Sequence, residues 1–232
     1  WRGLAGTRNR AINSFPASVE WVMPVDCGDT IEAGFLASAA AALRQDRSLN
    51  YVMPLLCIES TGYKWNPKPL QESAVKLHEE NQLHCCVLYR RELFDAVGGY
   101  EPAMSFGWED WDFWTRANHA IPLRGFVVGG AEEKCSYTYR ADGMHKLCDS
   151  SKEQCNAAFV IASGGLYGTS RVKAAHATIL AAPDFALRIC QAHSMSGGNF
   201  RTLSPLRALF CGLSLEAAHQ EEDALSMYST AA

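Results

Sequence analysis

The sequence predicts an α/β fold, a sheet flanked by helices, followed by an α-helical C-terminal region. Short β-rich apolar runs alternate with helical segments through the first two-thirds of the chain, the pattern of strands and helices sharing one sheet. After about residue 157 the character changes to Ala- and Leu-rich helical segments. The 232 residues are 48% hydrophobic and 20% charged, an ordinary globular balance at a length that can bury a sizeable core. The division expected from this is 1–156 for the α/β region and 157–232 for the helices.

Residues 6–20 read as a helix followed by a loop. Glu20 to Val25 is a short buried strand, and Asp26-Cys27-Gly28-Asp29 a tight polar turn after it. Thr30 is expected to cap the helix that carries the Ala-rich stretch Ala33 to Leu43. Tyr51 to Ile58 reads as a single second strand, 59–72 as a loop and Leu83 to Tyr89 as a third apolar run. Arg91 to Val97 is a short helix stopped by Gly98-Gly99. Trp108 to Asn118 is a helix rich in aromatics, and Phe126 to Val128 and Lys134 to Tyr139 are short strands. Residues 141–156 are polar and expected to move. Gly197-Gly198 and Ser204-Pro205 punctuate the C-terminal helices.

Net charge is −4, so nothing electrostatic argues for a nucleic-acid partner. Nine cysteines are scattered without a CxxC pair, which argues against a zinc ribbon. The scatter favours mostly reduced thiols, and with them a cytoplasmic location. No apolar run approaches the roughly 20 residues that span a bilayer. The chain opens on Trp1 rather than Met, so the natural N-terminus, with any targeting signal, is expected to lie outside it.

Two places carry chemistry. Asp26 and Asp29 sit where a strand gives way to a loop, and ligands of open α/β sheets bind beyond the carboxyl ends of strands. Carboxylates there can hold a hard divalent cation against phosphates. Turn conformation alone also explains Asp and Gly at these positions. The second place is Trp108-Glu109-Asp110-Trp111-Asp112-Phe113-Trp114, where three acids and three tryptophans crowd together. On a helix Glu109 and Asp112 share one face, and Asp110 and Trp114 another. A carboxylate against aromatic walls is partly desolvated, which raises its pKa toward that of a useful base. The other reading is an amphipathic helix that buries its tryptophans and wets its acids.

Thr7-Arg8-Asn9-Arg10-Ala11-Ile12, the strand Glu20 to Val25 and the turn Asp26 to Asp29 resemble the middle of a family 2 glycosyltransferase of the GT-A type. Arg90-Arg91-Glu92-Leu93-Phe94, Val97-Gly98-Gly99-Tyr100 and Gly107 to Trp114 are similar to its acceptor-side block in order and spacing. Tyr139-Arg140-Ala141-Asp142 resembles its closing Tyr-Arg-x-His segment. The resemblance covers roughly residues 5–145. It implies an incomplete GT-A, Rossmann-like mixed sheet and an inverting, hexosyltransferase-like enzyme. Such an enzyme moves a sugar from a nucleoside diphosphate donor to an acceptor hydroxyl on a carbohydrate, protein or lipid. By the same resemblance Asp110 is the general base and Glu109 helps place the acceptor. Arg8, Asn9 and Asp26 bind the donor, Trp108 and Trp111 the acceptor. Asp26, Asp29 and Asp142 hold a divalent cation, Mn or Mg.

The chain departs from the family pattern in three ways. Gly28 stands where the second Asp of the Asp-x-Asp motif usually ligates the metal. Asp142 stands at the closing His, with His145 three residues on. The family's initial strand–helix–strand unit, which holds the nucleotide base, has no counterpart after Trp1. The chain by itself is therefore expected to bind donor weakly and to lack full activity, with calorimetry as the check.

In the tail, Ala208, Gly212, Leu215, Ala224, Tyr228 and Ala231 fall at spacings that resemble one tetratricopeptide repeat within 205–232. Acids at Glu221-Glu222-Asp223 would suit the start of its second helix. A repeat implies a protein partner through these helices; a plain helical hairpin fits equally. The histidines show no mutual ligand spacing, and Cys85-Cys86 reads as small apolar filling. The alternative to an enzyme is a non-catalytic GT-A-like scaffold or sugar-binding protein with an interaction tail. Gly28 speaks for the alternative, the Glu109-Asp110 pair against it.

Overall fold

The computed structural model describes residues 3–65, 77, 81–104, 107–128, 136–140, 151–163, 166–193, 204–217 and 229. Within them lie helices α1 (Gly3–Asn13), α2 (Phe35–Gln45), α3 (Arg91–Val97) and α4 (Glu109–Ala120). The strands are β1 (Trp21–Val22), β2 (Thr30–Ile31), β3 (Tyr51–Pro54), β4 (Leu56–Ile58), β5 (Lys64–Trp65), β6 (Leu88–Arg90), β7 (Gly125–Val128) and β8 (Tyr137–Tyr139). Helices α5 (Lys152–Ala162), α6 (Thr169–Leu180), α7 (Pro183–His193) and α8 (Pro205–Ala217) follow. The architecture is mixed α/β, with two small sheets flanked by helices and a helical C-terminal region. Among the described residues no helix is long and apolar enough to cross a membrane.

Contacts group the chain into two units, each built from separated segments. One comprises residues 12–99 and 113–144 and holds both sheets; the other comprises 1–11, 100–112 and 145–232.

In the sheet unit, one sheet has the order β1-β6-β3-β7, with β3 and β7 parallel and the other pairs antiparallel. The second has the order β2-β8-β4-β5, with β4 and β8 parallel. Tyr51 to Ile58 was expected to be one strand and is two, in different sheets. Leu55 is the junction. Its N–H bonds to the Val128 carbonyl at 3.1 Å, and its carbonyl accepts the N–H groups of Ser136 and Tyr137 at 2.9 and 3.1 Å. Ser136 ties both sheets together, its hydroxyl donating to the Val128 carbonyl at 2.7 Å.

Several elements begin or end differently from expectation. Thr30 lies in β2, and Gly34 precedes α2 as its cap. The strand expected over Glu20 to Val25 keeps ladder pairing only at Trp21 and Val22. The run from Leu83 to Tyr89 is irregular up to Val87 and enters β6 at Leu88. Lys64 and Trp65, read as loop, pair with β4. Helix α3 ends as expected, at Gly98 in the left-handed conformation. Phe35 and Ala39 of α2 pack on Val52 of β3, which covers one face of the first sheet.

The helical unit is built around Phe159, Ile161, Ile179, Phe185, Leu206 and Phe210, all nearly inaccessible. Ala103 and Met104 belong to the same core, and Trp108 and Trp111 pack against it. Helix α8 places Ala208 in that core. Ala224, Tyr228 and Ala231, which would complete a repeat, lie outside the described residues.

Candidate active site

Two places matter, one in each unit. In the sheet unit, Asp26 to Asp29 form a turn closed by Asp29 N–H to the Asp26 carbonyl at 3.1 Å. Gly28 occupies the third position with φ +99°. A positive φ there suits a type II turn and is strained for any residue with a Cβ. An aspartate at position 28 would therefore be disfavoured by this backbone.

Both oxygens of Asp29 are engaged. One accepts the Arg140 N–H at 2.8 Å and the other the Tyr137 hydroxyl. The closing segment, more than 100 residues downstream, is thus fastened to the turn by β2–β8 pairing and by Asp29. Arg140 also pairs with exposed Glu59 at 2.8 Å. Asp26, half-buried, accepts from the Cys85 thiol at 3.6 Å. The Cys86 thiol donates to the Tyr137 hydroxyl at 2.5 Å. Its pKa is lowered to about 6, chiefly by the hydrogen bond with Cys85, with His84 and Tyr137 adding to the effect and burial opposing it. Burial pushes the Tyr137 phenol up, and the thiols and Asp29 push it further. His84 is buried, with its ring nitrogens against the Pro54 carbonyl and the Cys86 N–H. Cys27, Cys85, Cys86, Cys155 and Cys211 carry reduced thiols, while Cys57 is disulfide-bonded.

Sequence reasoning named Asp26 and Asp29 but missed Tyr137, Cys85, Cys86 and His84 around them. No local pattern announces a contact made across 59 or 108 positions. Asp142 lies outside the described residues, and among those described no group of three or more His, Cys, Asp or Glu could hold a metal ion.

In the helical unit, Gly107 and Trp108 both have positive φ, 118° and 62°. For a bulky residue this is an outlier that costs about 1–3 kcal/mol and is held only by its surroundings. Trp108 then accepts the first helical bond of α4, from Asp112 N–H at 2.9 Å. The three acids that follow separate by environment. Glu109 is 5% exposed and pairs with Arg8 of α1 at 2.6 Å. Burial raises its pKa, the Asp110 charge raises it further, and Arg8 only partly offsets both. Asp112 is wholly buried and accepts from the Ser163 hydroxyl of the α5 end at 3.2 Å. Asp110 alone of the three stays half-exposed, with its Oδ1 accepting the Trp111 N–H at 2.8 Å.

The expected amphipathic alternative is met only in part, with Trp114 buried and Asp110 half-exposed. Two of its acids are inside, and Trp108 and Trp111 are only half-buried. Trp111 stacks on Phe159 at 4.4 Å and meets Trp108 edge-on at 5.5 Å. Trp114 belongs to the sheet unit, where it is fully buried against Tyr89 and Phe113. Arg8 also lies over the Tyr100 ring at 5.5 Å. Asn9 bonds the Tyr100 backbone twice, through its amide nitrogen and oxygen, each at 2.8 Å. Arg8 and Asn9 thus fix the chain segment that leads into α4.

No protein-family model and no curated protein matches the chain.

Proposed function

We propose that this chain carries the catalytic base of an inverting glycosyltransferase of the GT-A type, which moves a sugar from a nucleoside diphosphate donor to an acceptor hydroxyl. One observation carries the reading: of three acids at the start of α4, only Asp110 remains half-exposed, while Glu109 and Asp112 are buried. Glu109 and Arg8 hold the helix start, and Asp110 is the carboxylate of the three that remains accessible from solvent. Trp108 and Trp111 beside it offer apolar faces of the kind that stack on sugar rings. The order of motifs along the sequence supports the same reading.

In the proposed reaction an Asp110 carboxylate oxygen accepts the acceptor's hydroxyl proton. The resulting oxygen nucleophile attacks the anomeric carbon from the face opposite the diphosphate. The bond to the diphosphate breaks as the new glycosidic bond forms, so configuration inverts. Positioning and general-base catalysis supply most of the rate. The test is sugar transfer by this protein. Asp110→Asn should lower kcat by about 10²–10⁴-fold with little change in folding. Unchanged turnover in that variant would remove Asp110 from the role.

A second reading is favoured by the turn. Gly28 is left-handed, and Asp29 is occupied by Tyr137 and Arg140, as in a GT-A-like scaffold that binds sugars without transferring them. Saturable sugar binding with no transfer, equal in the parent and in Asp110→Asn, selects this reading.

A further inference from the structure

Cys85 and Cys86 are adjacent in the chain, and their sulfurs lie 3.3 Å apart. Cys85 is half-buried, and Cys86 lies beneath it. Both carry reduced thiols. They also stand at the centre of a bonded row. Cys85 reaches Asp26 at 3.6 Å, Cys86 reaches Tyr137 at 2.5 Å, and Tyr137 donates to Asp29. The pair therefore touches Asp26 directly and is linked to Asp29 through Tyr137.

We propose that Cys85 and Cys86 form a dithiol modification site, which a low-molecular-weight disulfide closes to a Cys85–Cys86 disulfide, loosening the Asp26–Asp29 turn. This goes beyond glycosyl transfer and does not depend on it. The half-exposed Cys85 sulfur attacks one sulfur of the oxidant, whose S–S bond breaks and releases one thiol. The Cys86 sulfur, already in contact, then attacks Cys85 and displaces the second thiol. Two protein thiols are oxidised, one external disulfide is reduced, and the two thiol protons leave on the two released small thiols. Consecutive Cα atoms stand about 3.8 Å apart, below the roughly 4.4–6.8 Å usual for disulfide partners. The ring is therefore strained and readily reopened by a thiol, as regulatory disulfides are. Closing it removes the S–H donors that Asp26 and the Tyr137 hydroxyl now receive.

Oxidised glutathione is the probe, followed by alkylation, tryptic digestion and mass spectrometry. The tryptic peptide 77–90 contains Cys85 and Cys86 as its only cysteines. It should lose both alkyl labels, weigh two hydrogens less, and recover both after dithiothreitol. Exposed Cys27 reports that the oxidant reached the protein. In Cys86→Ser, Cys85 should stop at a stable glutathione adduct. Amide exchange at Asp29 and Arg140 should quicken on oxidation of the parent chain and not in Cys86→Ser. A peptide 77–90 that keeps both labels after Cys27 has reacted overturns the site. So does a glutathione adduct that persists on Cys85 of the unmutated chain. A closed ring with unchanged exchange at Asp29 and Arg140 overturns its link to the turn.

Discussion

At the scale of single residues, the start of α4 shows how one cluster of acids is divided between the interior and the surface. Glu109 sits within the protein against Arg8, and charging it there is costly. Arg8→Met strands that carboxylate and should lower stability by about 3–5 kcal/mol near neutral pH, read as a fall in the urea midpoint. The loss should shrink below pH 4.5, where Glu109 takes up a proton in both folded and unfolded chains. The parent protein has its own pH dependence. Because the folded-state pKa of Glu109 is raised above its ordinary 4.5, the folded chain binds more protons than the unfolded one just above that value. The stability contributed by the group is thus fully present below pH 4.5 and lost as pH rises through the raised pKa. Urea midpoints of the parent chain across this window should fall relative to Glu109→Gln, which has no proton to lose. A constant difference between the two would show that Arg8 already compensates the charge in full. The sequence pointed to these acids through their crowding with tryptophans, but not to their division between interior and surface. That division depends on Arg8, 101 positions away, and on Ser163, 51 positions away. Burial at such separations is a product of the packed chain and leaves no local periodicity.

At the scale of elements, glycine and proline decide where strands stop and how closely they approach. Pro54 is the last residue of β3 and has no N–H to give to a ladder. At Leu55 the backbone turns its bonds toward Val128, Ser136 and Tyr137, and the following residues join the other sheet. The apolar run from Tyr51 to Ile58 made the buried position legible. The change of sheet was not, because the run is continuously apolar across it and the partners that divide it arrive from β7 and β8. Helices were easier to read: α3 and α4 are bounded by Gly98 and by Gly107-Trp108, local signals that act within a turn. Gly125 opens β7 directly over Tyr51 of β3, its paired residue in the parallel ladder. A Cβ built at Gly125 falls within the Tyr51 ring, and that ring is fully buried. Gly125→Ala should therefore destabilise by about 1–3 kcal/mol or more, since neither the ring nor the strand can retreat without repacking. Denaturant unfolding measures it, and the double variant Gly125→Ala with Tyr51→Phe should remain destabilised because the clash is with ring carbons. A parent-like midpoint for Gly125→Ala would mean that β7 shifts freely along β3.

At the scale of the whole molecule, neither unit is a continuous stretch of sequence. The helical unit takes residues 1–11 and 100–112 into the same body as 145–232. Its core joins Ala103 and Met104 to Phe159, Ile179 and Phe210, and Trp111 is stacked on Phe159. The change of composition near residue 157 was legible, but composition does not reveal that the later helices close over a segment 50 positions earlier. Cutting the chain at 144 would remove most of that core, against which Trp108 and Trp111 beside the candidate base are packed. Residues 1–144 produced alone should therefore expose Trp108, Trp111 and Met104. Expected signs are binding of an apolar dye, a red-shifted tryptophan emission and loss of the ordered start of α4. The point variant Phe159→Ala is the milder form of the same test. It should cost about 3–5 kcal/mol and loosen Trp111 while the rest of the chain stays in place. If residues 1–144 instead unfold cooperatively at the parent midpoint with parent-like tryptophan emission, the C-terminal helices contribute nothing to holding Asp110. The role of the helical region as a support for that carboxylate would then be lost. If the midpoint falls and the emission shifts to the red, the helices after residue 150 help to order the start of α4 around Asp110, and no boundary between the two regions of sequence can be cut without disturbing it.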